Sequence, residues 1–278
     1  MMPRRACLAL LAAGLLAAAL PAHAGPADRF RTLQDSLDLR VLLSSVTTAY
    51  PHALPPQAGN IELTARRLSG MLLEPGQSFS FLQRLGPFTT RRGYREGRTF
   101  MGDRIATSTG GGVCQVAGTL YDAVLLAHLE VLERHPHTLL VPYLPPGLDA
   151  TVSEQGGKDL RFRNSTAQPV LIRVHAADHR LTIALYGRVA GPAVSLHQQV
   201  LEWYPTRTKR LPDPALPRGT ERVAAPGQAG CRVRVWAVVR TARGESVRPL
   251  GIDTYQPSPR IVQVGTGPPS APPPAPPG

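Results

Sequence analysis

Residues 109–137 constrain this chain more than any other stretch. Gly110, Gly111 and Gly112 lead into Val113, Cys114 and Gln115, and apolar residues then recur at Val116, Leu120, Val124, Ala127 and Val131. Steps of three and four residues place these side chains on one face of a long helix. Cys114 therefore lies in its first turn, where backbone N–H groups and the helix dipole favour a thiolate over a thiol. The three glycines let another chain approach the sulfur closely. Glu133 and Arg134 lead to His135, Pro136 and His137, where proline stops the helix and a strand from Thr138 to Tyr143 is expected.

The start of the chain sets the chemistry open to that sulfur. Arg4 and Arg5 precede an apolar run from Ala6 to Leu20, followed by Pro21 and the triplet Ala22, His23, Ala24. This reads as a signal peptide over residues 1–24, cleaved after Ala24, with no integral membrane segment in the mature chain. The expected location is outside the cytoplasm, in the periplasm, cell wall or medium. Cys114 and Cys231 then remain of three cysteines. In an oxidising compartment they can pair as a disulfide; unpaired, a retained thiol points to reactivity.

The chain carries 31 basic and 19 acidic residues, a net charge of +12, and Lys158 and Lys209 are its lysines. That excess favours anionic partners. Aromatic content of 5% and the lack of zinc-finger or RNP spacing argue against nucleic acid.

Residues 25–43 form a leader of undetermined order. A strand is expected from Ser44 to Tyr50, a loop from Pro51 to Gly59, and a helix opening at Asn60 with Ile61, Ala65, Leu68 and Leu72 on one face. Phe79 and Phe81 alternate as in a half-buried strand, Ser78 to Leu82. Arg91, Arg92, Arg95, Arg98 and Arg104 crowd the next segment. They read either as a solvated loop or as a rim that pairs substrate carboxylates through bidentate guanidinium contacts. Further strands are expected at Asp149 to Val152, Leu160 to Arg163, Val170 to His175 and Leu181 to Tyr186. From Gly191 the texture changes to alternating runs broken by proline and glycine, with strands at Val194 to Tyr204, Cys231 to Val239, Ser246 to Ile252 and Arg260 to Val264. The fold class is thus α+β: a cysteine-bearing helix on an antiparallel sheet over 44–188, then a small all-β module over 189–266. Residues 267–278, rich in proline, form an extended tail.

A thiol nucleophile needs a base, and the base an orienting acid; Cys114, His137 or His135, and Asp149 supply them in chain order. Backbone N–H groups at the helix start, helped by the Gln115 side chain, are candidates to hold an oxyanion. Gly110, Gly111, Gly112, Arg91, Arg92 and Arg95 are the candidate substrate contacts. Two competing readings use the same residues. The histidines can be structural, one capping the helix end; or, two apart in a strand, they can share a face as metal ligands with Asp149 or Cys114. Without further clustered ligands, no metal or other cofactor is expected. His137 is preferred as base because it lies inside the expected strand, whereas His135 is held between helix end and proline.

Several stretches resemble the VanW family of bacterial envelope proteins: TTAY at Thr47 to Tyr50, NIEL at Asn60 to Leu63, EPGQSFSF at Glu74 to Phe81, GGGVCQVAGTLYDAVLLAHLEVLERHPH at Gly110 to His137, and PPGLDATV at Pro145 to Val152. The resemblance places the family's motif cysteine on Cys114, its glutamine on Gln115, its histidines on His135 and His137, and its aspartate on Asp149. Where the family usually has serine-serine-threonine after CQV, this chain has Ala117, Gly118 and Thr119. The family takes its name from vancomycin-resistance gene clusters, an association that does not itself define a reaction. PDPALPRGT at Pro212 to Thr220 and IDTYQPSPRIVQVGT at Ile252 to Thr266 resemble the G-five domain, which implies binding to cell-wall glycans.

Two functions are therefore expected of an exported envelope protein. One is a cysteine-dependent acyl-transfer or amide-hydrolysing enzyme acting on peptidoglycan peptides or related compounds. The other is a noncatalytic wall-binding or scaffolding protein with peptidoglycan or another anionic envelope polymer as partner. The oligomeric state is left open.

Overall fold

The computed structural model describes residues 26–101 and 104–268. The expected signal peptide and almost all of the Pro-rich tail lie outside the described residues. The chain opens with α1 (Pro26–Ser36), β1 (Val41–Ala49), α2 (Pro55–Leu68), β2 (Leu72–Leu73), β3 (Ser78–Ser80), α3 (Phe81–Leu85), β4 (Glu96–Met101) and β5 (Arg104–Thr109). It continues through α4 (Val113–Leu126), β6 (Glu130–Glu133), β7 (Arg161–Arg163), β8 (Val170–Ala177) and β9 (Arg180–Gly187). The second module contains β10 (Ala193–Tyr204), β11 (Thr208–Pro217), β12 (Glu221–Ala225), β13 (Gly230–Thr241), β14 (Gly244–Tyr255) and β15 (Arg260–Gly267).

In the first module, β1, β9, β8 and β2 form an antiparallel sheet in that order, and β3, β7 and β6 form a smaller one. The helix α4 packs on β1 and β9, and α2 packs on β8. Almost all of α4 is buried, from Val116 and Leu120 on one side to Thr119 and Asp122 on the other. Polar bonds fix its rotation: Ser44 Oγ donates to Ala123 O at 2.7 Å, and the Thr48 and Thr119 hydroxyls lie 2.9 Å apart.

Several expected boundaries shift. The helix α2 begins inside the expected loop, because Pro55 and Pro56 occupy its first turn, where a missing N–H costs nothing. The strand expected over Ser78 to Leu82 stops at Ser80, which accepts a hydrogen bond from Gln83 N–H and starts α3, so both Phe79 and Phe81 are buried. The helix α4 ends before Val131. His128 takes φ 57°, its N–H donates to Leu125 O, and Leu129 N–H reaches back to Val124 O. This left-handed cap is made without a glycine, so no glycine marks it. The strands expected at Thr138 to Tyr143 and Asp149 to Val152 are absent: residues 134–152 are irregular, and Pro136, Pro142, Pro145 and Pro146 remove ladder donors.

The second module pairs β10–β13–β14 antiparallel, while β11, β15 and β12 form a sheet in which β11 runs parallel to β15. The sequence reading missed β11 and β12. Pro212, Pro214 and Pro217 sit in β11, an edge strand that needs partners on one side alone. The expected boundary at residue 188 does not separate two cores. Cys231, Val233, Val235 and Tyr255 belong to the same buried cluster as Val116, Leu120 and Ile61. Among the described residues no helix is long and apolar enough to cross a membrane.

Candidate active site

Cys114 enters the site on the first turn of α4. Gly112, the residue before that helix, has φ 103°, and a Cβ there would lie 3.0 Å from both Gln57 Cγ and Gln57 O. Glycine is required both by the backbone angle and by α2 pressing on the turn. Asn60, one turn further along α2, also holds the turn: its Nδ2 donates to Gly111 O at 2.9 Å and to Arg95 O at 2.8 Å. Later in α4, a Cβ on Gly118 would stand 2.6 Å from Leu144 Cδ1 and 3.3 Å from Ala150 N. The missing side chain lets the irregular segment carrying Asp149 lie against the helix that carries Cys114.

That segment brings the three expected groups together. The His137 ring is hydrogen-bonded to the Cys114 thiol, and its Nδ1 lies 2.5 Å from Asp149 Oδ2. Asp149 Oδ2 also accepts the His137 backbone N–H at 2.7 Å, so one carboxylate oxygen holds both the ring and the backbone of His137. Cys114 Sγ lies 3.5 Å from Val152 O. His137 and Asp149 are buried, while Cys114 is half-buried and opens on a cleft. Among the described residues Cys114 and Cys231 are both free, so the disulfide alternative does not describe this state; Cys231 is packed in the core.

Burial works against charge on all three groups, and their mutual contacts overcome it. At Cys114 the hydrogen bond and charge of His137 hold the thiol below its ordinary range despite desolvation. At His137, burial is outweighed by hydrogen bonds to Asp149 and Cys114, which push the imidazole up to about 9. At Asp149, desolvation is outweighed by His137 and then by Arg134, keeping the carboxyl below its usual range. The arrangement favours a thiolate–imidazolium pair with an ionised carboxylate behind it.

His135 does not share this site. Its Nε2 lies 3.0 Å from Glu133 Oε1, and it is much more exposed than His137. The two histidines therefore point apart, which corrects the strand-based expectation that they share a face and removes the geometry for a shared metal. Among the described residues no group of three or more His, Cys, Asp and Glu is arranged to hold a metal ion. Gln115 is beside the site, but its Nε2 donates to Thr48 Oγ1 at 3.0 Å and to Ala49 O at 3.1 Å. Both amide hydrogens are thus committed to β1.

The cleft beside the sulfur has a volume of about 610 Å³. Gly110 and Gly112 form part of its wall, with Thr89, Thr90, Ser108 and Thr109 supplying hydroxyls and Glu154 a carboxylate. Arg91, Arg92 and Arg95 are not among its lining residues. Arg91 and Arg92 lie on a short 3-10 turn at Thr90–Arg92, and the Arg95 backbone is tied to Asn60 by Asn60 Oδ1 at 2.8 Å. Tyr143 also lines the cleft, and burial first, then the charges of Cys114 and Asp149, hold its phenol protonated far above the usual range. Sequence reasoning missed Tyr143, Arg134 and Tyr255. Arg134 Nε donates to Asp149 O at 2.6 Å, its Nη2 donates to Asp149 Oδ1 at 3.0 Å, and Tyr255 OH donates to the same Oδ1. Tyr255 lies within the IDTYQPSPR motif, the one signal that marked it.

The family model described as VanW like protein matches residues 56–186, and that described as G5 domain matches residues 197–267. Uncharacterized protein YoaR of Bacillus subtilis (strain 168) is 38% identical over 144 residues, 52% of this chain and 47% of its own length. Vancomycin B-type resistance protein VanW of Enterococcus faecalis (strain ATCC 700802 / V583) is 33% identical over 129 residues, 44% of this chain and 46% of its own. The chain thus spans about half the length of these relatives. Among solved structures, the IgA1 protease G5 domain matches 28% of this chain and 94% of its own at 26% identity and a TM-score of 0.20. HP0197-G5 matches 27% and 100% at 21% identity and a TM-score of 0.17. The chain carries a VanW like region at residues 56–186 followed by a G5 domain at residues 197–267.

Proposed function

We propose that this protein is an exported envelope enzyme that cleaves or transfers an amide or ester acyl group through Cys114. The observation that carries the reading is the relay from Cys114 to His137 to Asp149 at the wall of an open cleft. The Cys114 thiolate attacks the carbonyl carbon, an S–C bond forms, and the carbonyl π pair moves onto oxygen. Turn bonds take the N–H groups of Val113 and Gln115, to Gly110 O at 3.1 Å and Gly112 O at 3.0 Å. The Cys114 N–H is therefore the donor available to the oxyanion, at the positive end of α4. Tyr143, kept protonated, is a second donor in the cleft. When the intermediate collapses, the C–N or C–O bond breaks and the leaving group takes the proton from imidazolium His137. The neutral ring then removes a proton from water or an acceptor amine, whose attack expels the thiolate and releases the acyl group. Asp149 keeps the ring in the tautomer that presents its other nitrogen to sulfur.

The substrate class rests on the cleft and the second module together. Hydroxyls, amides and one carboxylate suit a peptide of mixed polarity better than a polyanion. The G5 domain supports glycan attachment, and the expected signal peptide at residues 1–24 supports action outside the cytoplasm, so peptidoglycan peptides are the proposed substrates.

The test is incubation of the full chain and Cys114→Ala with peptidoglycan fragments, followed by mass analysis. New cleaved or transferred products with the parent protein, and none with the variant, are expected. Identical profiles on fragments that bind would reduce the protein to a wall-binding role.

A further inference from the structure

Tyr255, at the end of β14 in the second module, reaches across the module boundary to the acid of the relay. It is fully buried; its hydroxyl donates to Asp149 Oδ1 and accepts the Gly147 N–H at 2.7 Å. Asp253, two residues earlier on the same strand, pairs with Arg134, and Arg134 in turn grips both the backbone and the carboxylate of Asp149. The contact continues beyond these side chains. Gln256 N–H donates to Thr138 O at 2.7 Å, and a Cβ on Gly147 would stand 2.1 Å from Val235 Cγ2 on β13. The loop that carries His137 and Asp149 has no strand ladder of its own, so the second module supplies much of what holds it.

From this geometry we infer that the second module is a working part of the candidate active site, with Tyr255 and Asp253 as positioning residues that fix Asp149 through a hydrogen bond and through Arg134. A tethered glycan-binding module would need neither contact; a flexible tether between the modules would break both. The inference rests on the proposed relay. Asp149 faces His137 and Arg134 from its own segment, Tyr121 and Asp122 from α4, and Tyr255 and Asp253 from the second module. Cys114 and Tyr143 complete its titratable surroundings. The phenol is one of the groups that hold the Asp149 carboxylate through Oδ1, so its removal leaves that carboxylate freer to turn away from His137 on Oδ2.

The experiment measures the rate of Cys114 alkylation by iodoacetamide against pH in the full chain, in Tyr255→Phe and in Asp253→Asn, with thermal unfolding recorded for each. Tyr255→Phe keeps the ring in the core and deletes one hydroxyl. The expected result is an acid limb displaced to higher pH and an alkylation rate at pH 6 lower by about 10-fold, with Asp253→Asn displaced in the same direction. His137→Ala serves as reference for complete loss of activation. If the parent protein itself shows an ordinary thiol profile, the proposed relay fails. If the parent shows an activated thiol that His137→Ala abolishes, while Tyr255→Phe and Asp253→Asn keep the parent profile, the positioning role is overturned and the relay stands. A fall in melting temperature with an unmoved pH profile likewise marks Tyr255 as structural alone.

Discussion

At the scale of single residues, two histidines separated by one proline have opposite fates. Backbone and ring of His137 are both captured by Asp149, while His135 turns to Glu133 on the surface. Replacing His135 with Gln is therefore expected to leave thiol reactivity at pH 6 within about 2-fold of the parent, because its partly exposed side-chain contact with Glu133 lies away from the sulfur and contributes little. A large loss would assign His135 a role that the geometry denies it. The direction of the His137 shift also fixes a pH window. A raised pKa means that the folded state holds the proton more tightly, so the associated stability is whole below the ordinary 6.5 and is lost as pH rises through about 9. The lowered Cys114 thiol contributes with the opposite sign over the same interval, so the His137 contribution is isolated in Cys114→Ala, where denaturant unfolding midpoints should fall across it. With His137→Gln added to that variant the interval should be flatter, and an equal slope in both would refute the assignment.

At the scale of elements, α4 is positioned by what it lacks. Gly118 costs helix propensity, yet its bare backbone allows Leu144 and the Asp149–Ala150 segment to approach. Ala at this position would gain propensity and still destabilise, since Leu144 must move and backbone at Ala150 cannot easily do so. The expected cost is about 1–3 kcal/mol by chemical denaturation, accompanied by slower Cys114 alkylation as Asp149 is displaced. Stabilisation by the alanine would mean that the close approach is not needed. The segment 134–152 shows why motif spacing can find a site without finding its architecture. Pro136, Pro142, Pro145 and Pro146 deny it a ladder, and its order comes from side chains that grip backbone, such as Arg134 on Asp149 O.

At the scale of the whole molecule, the two modules share one buried cluster rather than being joined by a spacer. Val233, Val235 and Tyr255 of the second module pack with Val116, Leu120 and their neighbours in the first. The chain should accordingly unfold in one calorimetric transition, with calorimetric and van't Hoff enthalpies in agreement. Two resolved transitions would show that the cores are energetically separate. The net charge of +12 belongs to this scale too: it favours anionic partners in general, while the cleft itself is lined by hydroxyls and the carboxylate of Glu154.

From the sequence alone came the order of modules, the helix with Cys114 in its first turn, and the three groups proposed as the relay, because glycine turns, apolar period and motif spacing are local properties of a chain. The end of α4 and the two expected strands around His137 and Asp149 were not legible, since a left-handed cap at His128 carries no glycine and a proline-broken loop is ordered only by distant partners. The Arg91–Arg95 cluster looked like a substrate rim, but the short turn at Thr90–Arg92 and the Asn60 tether leave those three side chains off the cleft wall. The preference for His137 over His135 came from the sequence on the ground of a strand that does not form; tertiary structure alone set the His137 ring against Asp149, kept Cys231 away from Cys114, and placed Tyr255 behind an aspartate 106 residues earlier. Those outcomes depend on which buried polar groups find partners across the core, and that is decided by packing between segments that no local pattern connects.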